Sequence, residues 1–247
     1  MSSSLTISTS CSVRLTVRTS GFHPGNRGSI PLPSTKKVML RFDIINKVIE
    51  VNGFTKYLEI GVCNPLDCFD KVNCELKHGV DPGYEFEENP VTYQMESDTF
   101  FEYLKEHDPN RKYDVIFIDG LHKSYQVKKD IENSLEVLSP NGYVLLHDCN
   151  PPTSHMARET YRTEYGYEPW NGTVWKAIYQ LRTTRKDLHV SVVDTDWGIG
   201  IIKRNELHDT KPIENNNEFY EYNIMDANRE EDLGLISIEE FLNGVDE

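Results

Sequence analysis

The stretch Tyr113–Pro152, YDVIFIDGLHKSYQVKKDIENSLEVLSPNGYVLLHDCNPP, decides how the chain is read. Tyr113–Ile118 is a nearly unbroken apolar run, the pattern of a strand buried on both faces. Val127, Ile131, Leu135 and Leu138 then recur at helical spacing and share one stripe. Pro140-Asn141-Gly142 stops the helix, and Tyr143–Leu146 is a second buried strand. A strand, a helix and a strand in this order make a right-handed crossover between parallel neighbours. Each strand ends in groups that bind metals or move protons: Asp119 and His122 after the first, His147 and Asp148 after the second. In open parallel sheets ligands bind beyond the carboxyl ends of the strands. These four residues therefore mark a candidate active site.

Upstream, Leu40, Ile44, Ile45, Val48 and Ile49 fall at helical spacing, and Asn52-Gly53 closes that helix. Lys56–Gly61 reads as a short apolar strand. A second strand ends at Gly79-Val80-Asp81, before the Pro82-Gly83 turn, and Val91–Met95 reads as a third. Asp98–His107 is expected to be helical, with Phe101 and Leu104 inward. Downstream, 149–172 is a long connection rich in proline, glycine and aromatic residues, expected to act as a lid. Thr173–Arg182 reads as a helix, and Leu188–Val193 with Gly198–Lys203 as an antiparallel pair. Strands alternating with helices place the chain in the α/β class.

The chain of 247 residues is long enough for a full core, and 38% hydrophobic with 27% charged residues suits a globular protein. Its apolar runs are strand-sized, so no membrane span is expected. A net charge of -14 repels a phosphate backbone, which argues against nucleic acid as the main partner. The five cysteines (Cys11, Cys63, Cys68, Cys74 and Cys149) are odd in number and form no CxxC pair. Reduced thiols, no structural zinc and a cytoplasmic location are expected.

Charge divides the chain into three parts. Residues 1–38 hold five basic residues and no acidic one. A transit peptide, a disordered tail and a translated non-coding leader compete there. For the last, Gly28-Ser29-Ile30-Pro31 can be encoded by GGT-TCG-ATT-CCC, the T-arm consensus of a transfer RNA gene. Gly21–Pro24 and Leu15–Arg18 can encode the anticodon and D arms in the right order, so that Met39 would be the natural start. Under every reading the segment is expected to be disordered. Residues 39–204 form the folded domain. Residues 205–247, with 13 acidic and two basic residues, form an acidic extension, within which Leu233–Leu242 reads as one short docked helix.

Further chemistry lies before the opening stretch. Gly61, in Glu59-Ile60-Gly61-Val62, lets backbone approach a ligand closely, although Cys63-Asn64-Pro65 breaks any GxGxxG pattern. Asp81, about 20 residues on, can accept hydrogen bonds from both hydroxyls of a ribose or else cap its own turn. Ser97-Asp98 can cap the following helix, contact an adenine, or do both.

Together YLEIGVCNP (57–65), GVDPG (79–83), SDTFF (97–101), DVIFIDGLH (114–122) and LSPNGYVLLHDCNPPT (138–153) resemble class I S-adenosylmethionine-dependent methyltransferases, more narrowly the methyltransferase-24 type. The resemblance covers roughly Met39 to Arg204. It implies a Rossmann-like seven-stranded sheet, mostly parallel with an antiparallel last strand, and helices on both faces. It implies S-adenosyl-L-methionine contacts from Glu59, Gly61, Val62, Asn64, Asp81, Pro82, Ser97, Asp98, Asp119 and Gly120. It also implies a divalent ion, Mg²⁺ or Mn²⁺, at Asp119, His147 and Asp148. The His147 nitrogen shifts that preference from Mg²⁺ toward softer ions. The catalytic set is Asp119 with His122 or His147 as the base for an acceptor hydroxyl.

The leading expectation is O-methylation of a small-molecule or sugar hydroxyl, with a small-molecule or glycan acceptor as partner and a homo-oligomer compatible with it. Two alternatives are a metal-dependent hydroxylase-like enzyme on the same fold and a methyltransferase-like binding protein without turnover. The irregular first glycine motif favours the alternatives; intact Asp81, Asp119, His122 and Asp148 favour catalysis.

Overall fold

The computed structural model describes residues 38–85, 91–163 and 166–245, so the expectations for residues 1–37 lie outside the described residues. Helix α1 (Arg41–Asn52) leads into β1 (Lys56–Ile60), β2 (Leu76–Val80), α2 (Ser97–His107), β3 (Tyr113–Ile118), α3 (Ser124–Val137) and β4 (Leu138–Leu146). A small hairpin of β5 (Arg162–Thr163) and β6 (Gly166–Tyr167) follows, then α4 (Val174–Thr184), β7 (Leu188–Val193) and β8 (Ile199–Arg204). The chain continues through α5 (Tyr222–Ala227), α6 (Arg229–Leu233), β9 (Leu235–Ile236) and α7 (Ile238–Val245).

The main sheet has seven strands in the order β2-β1-β3-β4-β8-β7-β9. Strands β1 to β4 pair in parallel, β8 runs against both β4 and β7, and β9 lies parallel to β7. This is the Rossmann-like, mostly parallel sheet that the motifs imply, with β8 its antiparallel member.

Both faces are covered, which is why the central strands are apolar throughout. Ile116, Ile118, Val144 and Leu146 face one core with Phe100 and Phe101 of α2, Ile131 of α3 and Trp175 and Ile178 of α4. Val115, Phe117, Tyr143 and Leu145 face the other, with Ile44, Ile45 and Val48 of α1 and Phe241 of α7. Each such side chain contributes about 1.5–3 kcal/mol on burial. Strand parity has a functional consequence. His147 continues the row of Tyr143 and Leu145, so it projects toward the side of the sheet that α1 covers.

Three details depart from the sequence reading. Val91–Met95 forms no strand. Tyr93 alone bridges to β2, its N–H donating to Gly79 O (2.9 Å) and its carbonyl accepting from Asp81 N (3.2 Å). Met95 N then turns back onto Tyr93 O at 3.1 Å, which ends the ladder. Strand β4 begins at Leu138, not Tyr143, because Leu138 pairs with Tyr113 across a register irregularity. Leu138 therefore belongs to the sheet and not to the stripe of α3. Lastly, the segment read as one docked helix is broken. α6 ends at Gly234, whose φ of 63° is the left-handed region that favours glycine. β9 then pairs with β7 before α7 begins. Met225, Leu233 and Phe241 are buried, which anchors this acidic segment. Among the described residues no helix is long and apolar enough to cross a membrane.

Candidate active site

Backbone hydrogen bonds carry the parallel ladder one step past the strands. Gly61 N donates to Val80 O (2.8 Å), Asp119 N to Ile60 O (2.8 Å) and His147 N to Ile118 O (3.1 Å). These contacts set Gly61, Asp119 and His147 in one row at the carboxyl edge of the sheet. Gly61 has φ 86°, and a Cβ there would come within 2.4 Å of Asp119 O and Gly120 Cα. Only glycine lets the ends of β1 and β3 close this far. Asp148 has φ 61°, unfavourable for a residue with a side chain; such positions concentrate at functional sites.

The four candidate side chains converge. Asp119 Oδ1 lies 3.2 Å from His147 Nδ1 and 3.4 Å from His122 Nε2. Asp148 Oδ2 lies 3.2 Å from His122 Nδ1 and 3.3 Å from His147 Nδ1, and Asp148 Oδ1 accepts from Asn171 Nδ2 at 2.5 Å. Arg41 Nη1 donates to Asp119 Oδ2 at 2.7 Å. Asp196, in the turn between β7 and β8, accepts from Arg41 N (2.8 Å) and Nε (3.1 Å). His147 Nε2 is buried without a hydrogen-bond partner, 3.7 Å from Asp196 Oδ1.

Electrostatics follow from this packing. Burial opposes charge on His122, but Asp148 and Asp119 outweigh it and hold the imidazole up at about 9. Burial likewise opposes the His147 cation, and the same two carboxylates raise it well above the ordinary histidine range. Asp119 is desolvated, yet His147, Arg41 and His122 keep it well below the usual carboxylate range.

One ligand atom each from Asp119, His122 and Asp148 lies within 4.8 Å of the others. Two oxygens and an imidazole nitrogen fit a divalent ion, Mn²⁺ better than Mg²⁺. His147, expected as the nitrogen ligand, is 5% exposed and directs Nδ1 at both carboxylates, whereas His122 completes the compact triad.

The 149–172 connection is packed down on His122. Trp170 stacks on the imidazole, with centroids 5.2 Å apart, and its carbonyl lies 3.2 Å from His122 Nδ1. Trp170 Nε1 donates to Arg158 O at 2.7 Å, and the Arg158 guanidinium binds the carbonyls of His155, Tyr161, Glu168 and Pro169. Thr173 N donates to His122 O (2.9 Å), while Thr173 Oγ1 accepts from Ser124 N (2.8 Å) at the start of α3. Between them Gly172 has φ 64°, and a Cβ there would lie 2.2 Å from His122 O.

At the other flank, Asp81 Oδ2 accepts from Cys63 N (2.8 Å) and Oδ1 from Gly83 N (2.7 Å). Each oxygen has a second lone pair left for a ligand hydroxyl. Pro82 is half-buried beside it. A Cβ at Gly120 would lie in ordinary van der Waals contact with Ile60 and Gly61, at 3.8 Å or more. Other expected contacts are turned elsewhere. Glu59 is buried, accepts from Tyr57 Oη at 2.5 Å and is pushed up to about 8 by burial. Val62 is buried and packs toward Gly79. Asn64 Oδ1 accepts from Leu66 N at 3.1 Å, closing its own turn. Ser97 and Asp98 face α3: Gln126 Nε2 donates to Ser97 Oγ (3.2 Å) and Asp98 Oδ1 (3.0 Å), and Lys129 pairs with Asp98. Arg41, Asp196 and Asn171 had no signal in the sequence, because each reaches the site from a distant segment.

Residues 66–149 match the family model described as a methyltransferase domain, of the methyltransferase-24 type. The match spans β2 to the end of β4 and bears out the resemblance carried by the motifs. No curated protein matches the chain in sequence. Among solved structures, an O-methyltransferase from Bacillus cereus in complex with SAH is 13% identical, covering 70% of this chain and 84% of its own, with a TM-score of 0.45. An O-methyltransferase from Streptomyces achromogenes, involved in tomaymycin synthesis and in complex with SAM, is 12% identical, covering 67% and 79%, with a TM-score of 0.45. An SAH-bound methyltransferase from Podospora anserina is 16% identical, covering 67% and 78%, with a TM-score of 0.44.

Proposed function

We propose that this protein is an S-adenosyl-L-methionine-dependent O-methyltransferase acting on a hydroxyl of a small molecule, sugar hydroxyls included. The observation that carries the reading is an imidazole, His122, held between two carboxylates at the strand ends beside the glycine edge of Gly61 and Gly120. The methyltransferase-domain match over 66–149 supports it.

When bound, S-adenosyl-L-methionine supplies a sulfonium methyl for in-line displacement. The protein's task is then alignment and removal of one proton. Asp81 offers its two free lone pairs to the ribose hydroxyls. Gly61 lets the ends of β1 and β3 close together beside the ligand. In its neutral form, the minor one at neutral pH for a ring held at about 9, His122 accepts the hydroxyl proton at Nε2, and Asp148 and Asp119 stabilise the imidazolium that forms. Trp170, stacked on the ring, fixes its plane. Asp119, His122 and Asp148 would also hold a divalent ion, which would acidify the hydroxyl in place of the imidazole. Among the described residues Cys68, Cys74 and Cys149 form no disulfide, which suits the cytoplasm.

Incubation with methyl-labelled S-adenosyl-L-methionine and a panel of catechols, sugars and glycosides tests this reading. Label on an acceptor oxygen is expected. Absence of transfer to every acceptor, together with absence of product binding, would contradict it.

A further inference from the structure

Arg41 sits in the first turn of α1 and makes two unequal attachments. To Asp119 it gives one contact, Nη1 to Oδ2 at 2.7 Å. To Asp196 it gives three, from its backbone N (2.8 Å), Nε (3.1 Å) and Nη2 (3.5 Å). Thr195 Oγ1 also donates to Met39 O at 2.6 Å, so the start of α1 is docked on the turn between β7 and β8 by several bonds. Arg41 can therefore release Asp119 without losing its anchorage.

Asp119 is also one of the three groups whose ligand atoms cluster within 4.8 Å. A guanidinium stays charged at every working pH. It takes up one oxygen of Asp119 and repels any cation that shares the carboxylate.

We propose that Arg41 is a built-in counter-cation of this site, which lowers the affinity of Asp119, His122 and Asp148 for a divalent ion by competing for the Asp119 carboxylate. The inference rests on the transferase reading only in taking the same strand-end site as functional. It makes ion binding depend on the seating of α1, whose first turn delivers the competitor. Occupancy is then set by two cations exchanging on one carboxylate, with Asp196 holding the guanidinium in reserve.

The test is Mn²⁺ affinity of the full chain, read from the loss of the free-ion electron paramagnetic resonance signal. Arg41→Met and Arg41→Gln remove the charge and keep much of the stem; two neutral variants guard against failure of one to fold. Both should bind Mn²⁺ about tenfold or more tightly than the parent, from removal of one repelling unit charge. Arg41→Lys keeps the charge and should stay within about twofold of the parent. Neutral variants that bind no more tightly than the parent, or a lysine variant that matches the neutral ones, would overturn the proposal. So would absence of Mn²⁺ binding in all four proteins. Calorimetry of the parent with S-adenosylhomocysteine reads the transferase assignment separately. Product binding without an Mn²⁺ shift removes the counter-cation role alone.

Discussion

The imidazole of His122 lies against the indole of Trp170, with ring centroids 5.2 Å apart and planes inclined by 25°. The Trp170 carbonyl lies 3.2 Å from Nδ1 of the same ring. The long connection after β4 thus fixes the plane of the imidazole and gives Nδ1 a second acceptor beside Asp148 Oδ2. Such stacking contributes about 0.5–1.5 kcal/mol. Trp170→Ala should lower turnover about tenfold, because the ring then samples other rotamers, while product affinity stays within about twofold. Trp170→Phe should recover most of the rate. Steady-state kinetics and calorimetry on the same preparations check this.

Removal of the imidazole itself should act on chemistry alone. General-base groups contribute about 10²–10⁴ in rate. His122→Ala should slow transfer by that factor and leave S-adenosylhomocysteine binding intact. An equal loss in both measurements would show that His122 supports the cofactor site and not proton removal.

Asp81 has the opposite signature. Its carboxylate already orders the turn through Cys63 N and Gly83 N, and it keeps one lone pair per oxygen. Hydrogen bonds to charged groups contribute about 1.5–3 kcal/mol each. Asp81→Ala should therefore weaken product binding at least about tenfold. Asp81→Asn, which preserves one acceptor oxygen, should fall between the two. Unchanged affinity in Asp81→Ala would confine the residue to its turn.

Glu59 provides a test in pH. Burial pushes its carboxyl from 4.5 in the unfolded chain up to about 8, so the folded state holds the proton more tightly. The associated stability is complete below 4.5 and is lost as pH rises from there through about 8. Glu59→Gln removes this titration. The melting temperature of the variant should fall less steeply than that of the parent across this window, with product affinity unchanged. A parallel pH dependence in the two proteins would contradict the buried, protonated assignment.

The central fold was legible because strands buried on both faces are written as unbroken apolar runs, as in Tyr113–Ile118 and Tyr143–Leu146. Asp119 and His147 were legible for the same reason, since each follows such a run directly, and His122 and Asp148 stand three and one residues further on. Tyr93 was misread as part of a strand: Val91–Met95 has strand composition, but the turn of Met95 N onto Tyr93 O is a backbone event without a side-chain signature. β9 has two residues, too few for any periodicity, and its place follows from pairing with β7. Arg41 and Asp196 meet across 155 residues and Asn171 reaches Asp148 across 23, so no local pattern announces them. Glu59 and Val62 lie in the expected motif, yet strand parity and the packing at Gly79 turn them into the protein.

Calorimetric titration of the full chain with S-adenosylhomocysteine, with and without Mn²⁺, tests the methyl-transfer assignment most directly. One site per chain is expected, with binding retained without the ion and weakened by Asp81→Ala. Absence of binding in both conditions would contradict it.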